Sequence, residues 1–197
     1  MKFRIGIGNF MKIYLITHPD TVIDSQRPIN RWKISKDGWK QVKNLGKKRF
    51  WNNVEFIYAS TEPKANLSAR YWSKNHNIRM KIVAGIDEVN DRKFLPKKKL
   101  WENADLFYAA PRKSAGGWET AENCLKRMVK SINRIKNESK RKKYQSIAIV
   151  SHGAVANIYV CHLKKVRASV KTGQKKIGSW IIIDAGKNKI LTKWQAY

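Results

Sequence analysis

The sequence predicts an α/β fold, a three-layer α/β/α sandwich around a mostly parallel central sheet, and three observations carry that expectation. Ile13-Tyr14-Leu15-Ile16 and Ile147-Ala148-Ile149-Val150 are unbroken apolar runs that turn abruptly polar, the signature of strands buried on both faces. Segments of helical periodicity separate the apolar runs, so strands and helices alternate along the chain. Each of the two runs also ends on a histidine, His18 before Pro19 and His152 before Gly153, at the strand end where open α/β sheets bind ligands.

Taken in order, the first strand closes at Pro19, which disfavours helical geometry at His18. Asp20 to Trp32 reads as an irregular loop. Ser35 then serves as N-cap of a helix with Asp37 in its first turn, and Trp39, Val42, Leu45 and Phe50 recur at helical spacing. Val54 to Ala59 is a second short strand, and Pro63 suits the first turn of a helix reaching about His76. Arg79 to Val83 alternates polar and apolar, as an edge strand does. Gly85 to Pro96 is a loop, and Lys97 to Ala110 a helix with Leu100, Ala104 and Phe107 on one face. A long helix is expected from Trp118 to about Lys142, with Cys124, Leu125, Met128, Val129, Ile132 and Ile135 on its apolar stripe. The His152 strand follows, then a helix from Ala154 to about Leu163. Trp180 to Ile183 and Ile190 to Thr192 form a hairpin around Ala185-Gly186-Lys187-Asn188.

The 197 residues suffice for one domain with a real core. Residues 11–197 are assigned to it, and residues 1–10 are read as an N-terminal extension or a misassigned start. A hydrophobic content of 42% argues for a globular chain, and no apolar run approaches a membrane span. Cys124 and Cys161 lack metal-ligand spacing and read as free thiols of a reducing, cytoplasmic compartment. The formal net charge of +28 suits anionic partners. The lysine clusters are scattered, however, so nucleic acid is a partner on charge grounds alone, and solvated lysine-rich faces are the plainer reading. Oligomeric state leaves no mark in the sequence.

The strand ends collect Thr17 and His18, Ser60 and Lys64, Asp91 and Arg92, and Ser151 and His152. That set suits transfer of a phosphoryl group through a histidine. One imidazole attacks phosphorus, cations and donors neutralise the equatorial oxygens, and an acid protonates the leaving alkoxide. Gly153 lets a helix start directly after His152, with its free amides aimed at an anion. The design calls for no metal and no cofactor.

At these residues the chain resembles the histidine phosphatase superfamily, which includes the cofactor-dependent phosphoglycerate mutases. Leu15-Ile16-Thr17-His18-Pro19 stands where that family has a strand and Arg-His-Gly. Ser60-Thr61-Glu62-Pro63-Lys64-Ala65 resembles its Ser-x-x-x-Arg-Ala motif, Asn90-Asp91-Arg92-Lys93-Phe94 its Asn-Glu-Arg-x-Tyr motif, and Ser151-His152-Gly153 its late Ser/Thr-His-Gly. The chain also resembles a subgroup with Thr-His-Pro and Ser-Thr-Glu-x-Lys-Ala. The resemblance implies a phosphoglycerate mutase-like sandwich and a metal-independent phosphomonoesterase with a phosphohistidine intermediate. Its catalytic residues would be His18, Asp91 and His152, and its phosphate ligands Thr17, Lys64, Ser60 and Arg92. Glu119 and Arg31 are further candidates; Glu119 resembles the family's Gly-Glu-Ser region and reads equally as an acid in a helix's first turn. The implied partner is a small phosphorylated substrate or phosphate ion. Thr17 and Lys64 replace two arginines, with Arg92, Arg27, Arg31 and Arg112 as candidates to restore a guanidinium. The alternative is therefore a catalytically impaired phosphate- or anion-binding module of the same fold.

Overall fold

The computed structural model describes residues 11–90 and 94–197. The residues 1–10 assigned to an extension, and Asp91 and Arg92, lie outside the described residues. Seven strands form one mixed sheet: β1 (Lys12–Thr17), β2 (Phe56–Ala59), β3 (Met80–Ile82), β4 (Ser146–Ser151), β5 (Ser179–Asp184), β6 (Lys189–Ile190) and β7 (Gln195–Ala196). Their order is β3-β2-β4-β1-β5-β6, with β7 added beside β5. β3, β2, β4 and β1 run parallel, and β5 is antiparallel to β1. The alternating strand reached the edge as expected, and the predicted hairpin is the β5–β6 pair, Ile183 opposite Ile190. β7, a two-residue strand, has no counterpart in the sequence pattern.

Among the described residues there are five α-helices: α1 (Lys36–Gly46), α2 (Pro63–His76), α3 (Lys97–Ala109), α4 (Ala121–Arg141) and α5 (Gly153–Lys164). Period-two alternation decides which helix meets which residue. Tyr14 and Ile16 of β1 face Val42 and Leu45 of α1 and Ala65, Ala69 and Trp72 of α2. Ile13 and Leu15 face Met128, Ile132 and Ile135 of α4 and Tyr159 of α5 on the opposite side. β1 and β4 are therefore buried on both faces.

Ser35 caps α1 as its sequence suggests, its Oγ accepting the Gly38 N–H at 2.9 Å. Gly38 is obligatory for a different reason: a Cβ there would stand 2.1 Å from the Asp20 carbonyl oxygen. Phe50 falls in a separate 3-10 turn, Arg49–Asn53, rather than in α1. The expected helix start at Trp118 is corrected to Ala121, with Thr120 as N-cap. Gly116 and Gly117 adopt positive φ and turn Trp118 inward, where it packs edge-on to Phe107 of α3, 6.2 Å between ring centres. Tertiary packing overrides periodicity there.

The crossing pattern opens a crevice at the carboxyl ends of β1 and β4. β1 hands the chain to α1 on one face and β4 hands it to α5 on the other, while Thr17 and Ser151 stay in register. The ladder continues one residue further, His18 N–H donating to the Ser151 carbonyl at 2.9 Å. The two histidines thus emerge side by side.

Candidate active site

The His18 and His152 rings lie 5.3 Å apart, centre to centre, inclined by 57°. His18 Nδ1 is 2.7 Å from the Pro19 carbonyl oxygen. A carbonyl only accepts, so Nδ1 carries the proton and Nε2 carries the ring's lone pair. His152 is fully buried, its Nε2 2.8 Å from Ser60 Oγ. Ser60 donates its hydroxyl proton to Asp87 Oδ1 at 2.6 Å, so toward His152 it accepts, which puts that ring's proton on Nε2. Asp87 also accepts from the Thr61 N–H and hydroxyl, at 2.8 and 2.7 Å. Strand β2's polar end and the loop after β3 are tied together in this way.

Two glutamates join the histidines. Glu88, almost fully buried, brings a carboxylate oxygen so close that ligand atoms of His18, Glu88 and His152 all lie within 4.8 Å of one another. Glu62 Oε1 accepts the Glu88 N–H at 2.9 Å and lies 3.8 Å from His152 Nε2. Its other oxygen is bonded to the Lys64 ammonium. Burial pushes the Glu62 carboxyl above the usual carboxylate range, against the opposing pull of Lys64.

The predicted site residues separate into three groups. His18, His152 and Ser60 converge as expected. Lys64 arrives too, but 2% exposed and with its ammonium donated to Glu62 and to the Ile29 carbonyl at 3.0 Å. Thr17 is buried with its hydroxyl engaged: it accepts the Ser179 N–H at 3.0 Å and donates to Gln174, bracing β1 against β5 and the loop before it. Glu119 precedes α4 instead of occupying its first turn, and both its oxygens meet Arg127, at 3.0 and 2.7 Å. Arg31 is exposed at the end of a 3-10 turn. Arg27 and Arg112 lie outside, paired with Asp24 and Glu122. Asp91 and Arg92 lie outside the described residues.

Glu62, Glu88 and Arg127 were missed by sequence reasoning. Arg127 reads as one more basic residue of a helix, yet it reaches the carbonyls of Gly85 (3.2 Å), Asp87 (3.0 Å) and Glu88 (3.1 Å) and fixes the loop that carries both acids. A cleft of about 750 Å3 opens beside the centre, between Ile29 and Asn30 on one side and Thr61, Asp87, Glu88 and Asn90 on the other.

Paired histidines at the ends of adjacent parallel strands, a carboxylate near both and a polar cleft alongside make this a histidine-centred site on an α/β fold. The sequence model of the histidine phosphatase superfamily (branch 1) matches residues 13–194, and the chain belongs to that family. Solved structures agree on the fold. A protein described as a putative alpha-ribazole-5'-P phosphatase from Escherichia coli K-12 aligns with a TM-score of 0.72 and 18% identity, over 95% of this chain and 97% of that one. YhfR of Bacillus stearothermophilus aligns at 0.73 and 18%, over 94% and 95%. A mycobacterial glucosyl-3-phosphoglycerate phosphatase with inorganic phosphate aligns at 0.69 and 14%, over 94% of each chain. No curated protein matches the sequence.

Proposed function

We propose that this protein is a phosphomonoesterase that works through a phosphohistidine, with His18 as nucleophile and Glu88 as proton donor. The observation that carries this reading is the His18 tautomer, because the Pro19 carbonyl claims Nδ1–H and leaves the lone pair on Nε2, in a ring that has a ligand atom within 4.8 Å of those of Glu88 and His152. Nε2 attacks phosphorus, the ester oxygen departs with the Glu88 proton, and a positively charged His152 holds a phosphoryl oxygen. Water then attacks the phosphohistidine, gives a proton to the Glu88 carboxylate and releases phosphate and neutral His18. The amides of the first turn of α5 and Arg92 complete the phosphate contacts, and Lys64 acts through its charge from behind Glu62. Glu88 thus takes the part expected of Asp91. The phosphatase descriptions of several structural relatives support hydrolysis.

The test is hydrolysis of a generic aryl phosphate in EDTA by wild type, His18→Ala and Glu88→Gln. Turnover that persists under chelation, disappears in His18→Ala and falls roughly 100-fold or more in Glu88→Gln is expected. An acid-labile phosphoryl group on His18 should accumulate in the Glu88→Gln protein. A second reading, an anion-binding module without turnover, is favoured by one observation: Lys64, in the place of a family arginine, is already neutralised by Glu62. Phosphate binding with no hydrolysis by folded wild type would select it.

A further inference from the structure

Among the described residues, the centre is built from ligand-type atoms and is rich in carboxylates. Glu62, Asp87 and Glu88 contribute three carboxylates around the two rings, and Lys64 is the cation bonded among them. Thr17 and Pro19 stand beside His18 where guanidinium and amide donors would favour phosphate. A small, doubly charged cation is the ligand such a site attracts.

We propose that His18, Glu88 and His152 form a binding site for a divalent cation of the zinc class, and that its occupancy silences the enzyme by engaging the Nε2 lone pair that must attack phosphorus. The silencing rests on the phosphohistidine reading; the binding itself does not. Three features specify the metal chemistry. Two imidazoles and one carboxylate are the donor set of open, three-ligand zinc sites, and imidazole selects zinc-like ions over magnesium or calcium. Bond lengths of about 2.0–2.2 Å around a tetrahedral ion need ligand atoms roughly 3.4 Å apart. The three groups already lie within 4.8 Å of one another, so side-chain rotations complete the site. Each ring also donates its other N–H to a protein acceptor, His18 to the Pro19 carbonyl and His152 to Ser60, which in turn donates to Asp87. That outer layer fixes which nitrogen of each ring faces a metal and raises its basicity. The fourth position is left for water or a ligand from the cleft.

The test uses the full chain stripped with EDTA and freed of chelator, with Co2+ as spectroscopic probe and Zn2+ as competitor. One equivalent of Co2+ should bind with the strong visible absorption of a four-coordinate site, and Zn2+ should erase it. His18→Ala and Glu88→Gln should each abolish the absorption, Ser60→Ala should weaken binding roughly 10- to 100-fold, and exposed His162→Ala should leave it unchanged. Aryl phosphate hydrolysis should be highest in EDTA and stop with one equivalent of Zn2+. Absence of Co2+ absorption, or absorption indifferent to His18→Ala and Glu88→Gln in folded protein, overturns the site while hydrolysis in EDTA keeps the phosphatase reading. Hydrolysis that requires Zn2+ overturns the silencing and the phosphohistidine reading together.

Discussion

The acid-lined floor of the site and the exposed face of α4 are opposites within one chain. Around His152, the described charged groups are bonded to protein partners: buried Glu62 to Lys64 and the Glu88 amide, half-buried Asp87 to Ser60 and Thr61. Along α4, Lys126, Lys130, Arg134, Lys140 and Arg141 are exposed, and the partners among them are sparse, such as Glu122 for Lys126. The net charge of +28 describes the second region and misdescribes the first. Composition reports what water sees. At the site, burial raises both the cost of a charge and the value of its partner, so a few acids outweigh many lysines in deciding what binds.

The sharpest way to expose this difference is to delete one cation from each region. Arg127→Met strands Glu119 and frees the carbonyls of Gly85, Asp87 and Glu88, and should cost about 3 kcal/mol in denaturant unfolding together with most activity. Lys130→Met, one turn further along α4, should stay within about 0.5 kcal/mol of wild type. Equal losses would erase the distinction between the two regions.

Lys64→Met leaves Glu62 buried without its cation and should destabilise by about 2–3 kcal/mol. Combining it with Glu62→Gln should recover much of that loss, because the uncompensated charge goes too. Strict additivity of the two changes would show that the pair is not coupled. Ser60→Ala breaks the link from Asp87 to His152, with an expected cost of about 1–2 kcal/mol and a larger proportional fall in kcat than in KM.

The smallest effect is a pH slope. Burial raises the Glu62 carboxyl in the folded protein, so its contribution to stability is fully present below the ordinary glutamate range, about 4.3, and is lost as pH rises through the elevated native value. Glu62→Gln carries a fixed offset from stranding Lys64, but wild type should lose stability relative to it across that window. A difference between the two that stays flat from pH 4 to 7 would contradict a raised carboxyl.

Much of the frame was legible because its physics is local. Apolar runs gave β1 and β4, Pro19 and Gly153 marked the points where His18 and His152 leave them, and Ser35 announced α1. The acid was harder to read. Glu88 lies in a stretch without periodicity, and its inward turn depends on Arg127, held on a distant helix, and on Glu62 gripping the Glu88 amide. The partners of Thr17 were hard to read for a related reason: its hydroxyl bonds β5 and Gln174, more than 150 positions away. Trp118 satisfied a helical pattern and was drawn instead into a cluster with Phe107.

The position of β1 also governs how the protein comes into being. Both neighbours of this early strand are late ones, β4 and β5. While the polypeptide is being made, the Ile13–Ile16 run must wait with both hydrogen-bonding edges unpaired, exposed to wrong partners. Such long-range pairing slows folding, because distant segments must meet before either gains a contact. His18 is therefore made well before the strands that seat it, so a chain interrupted before β4 carries His18 without its pocket.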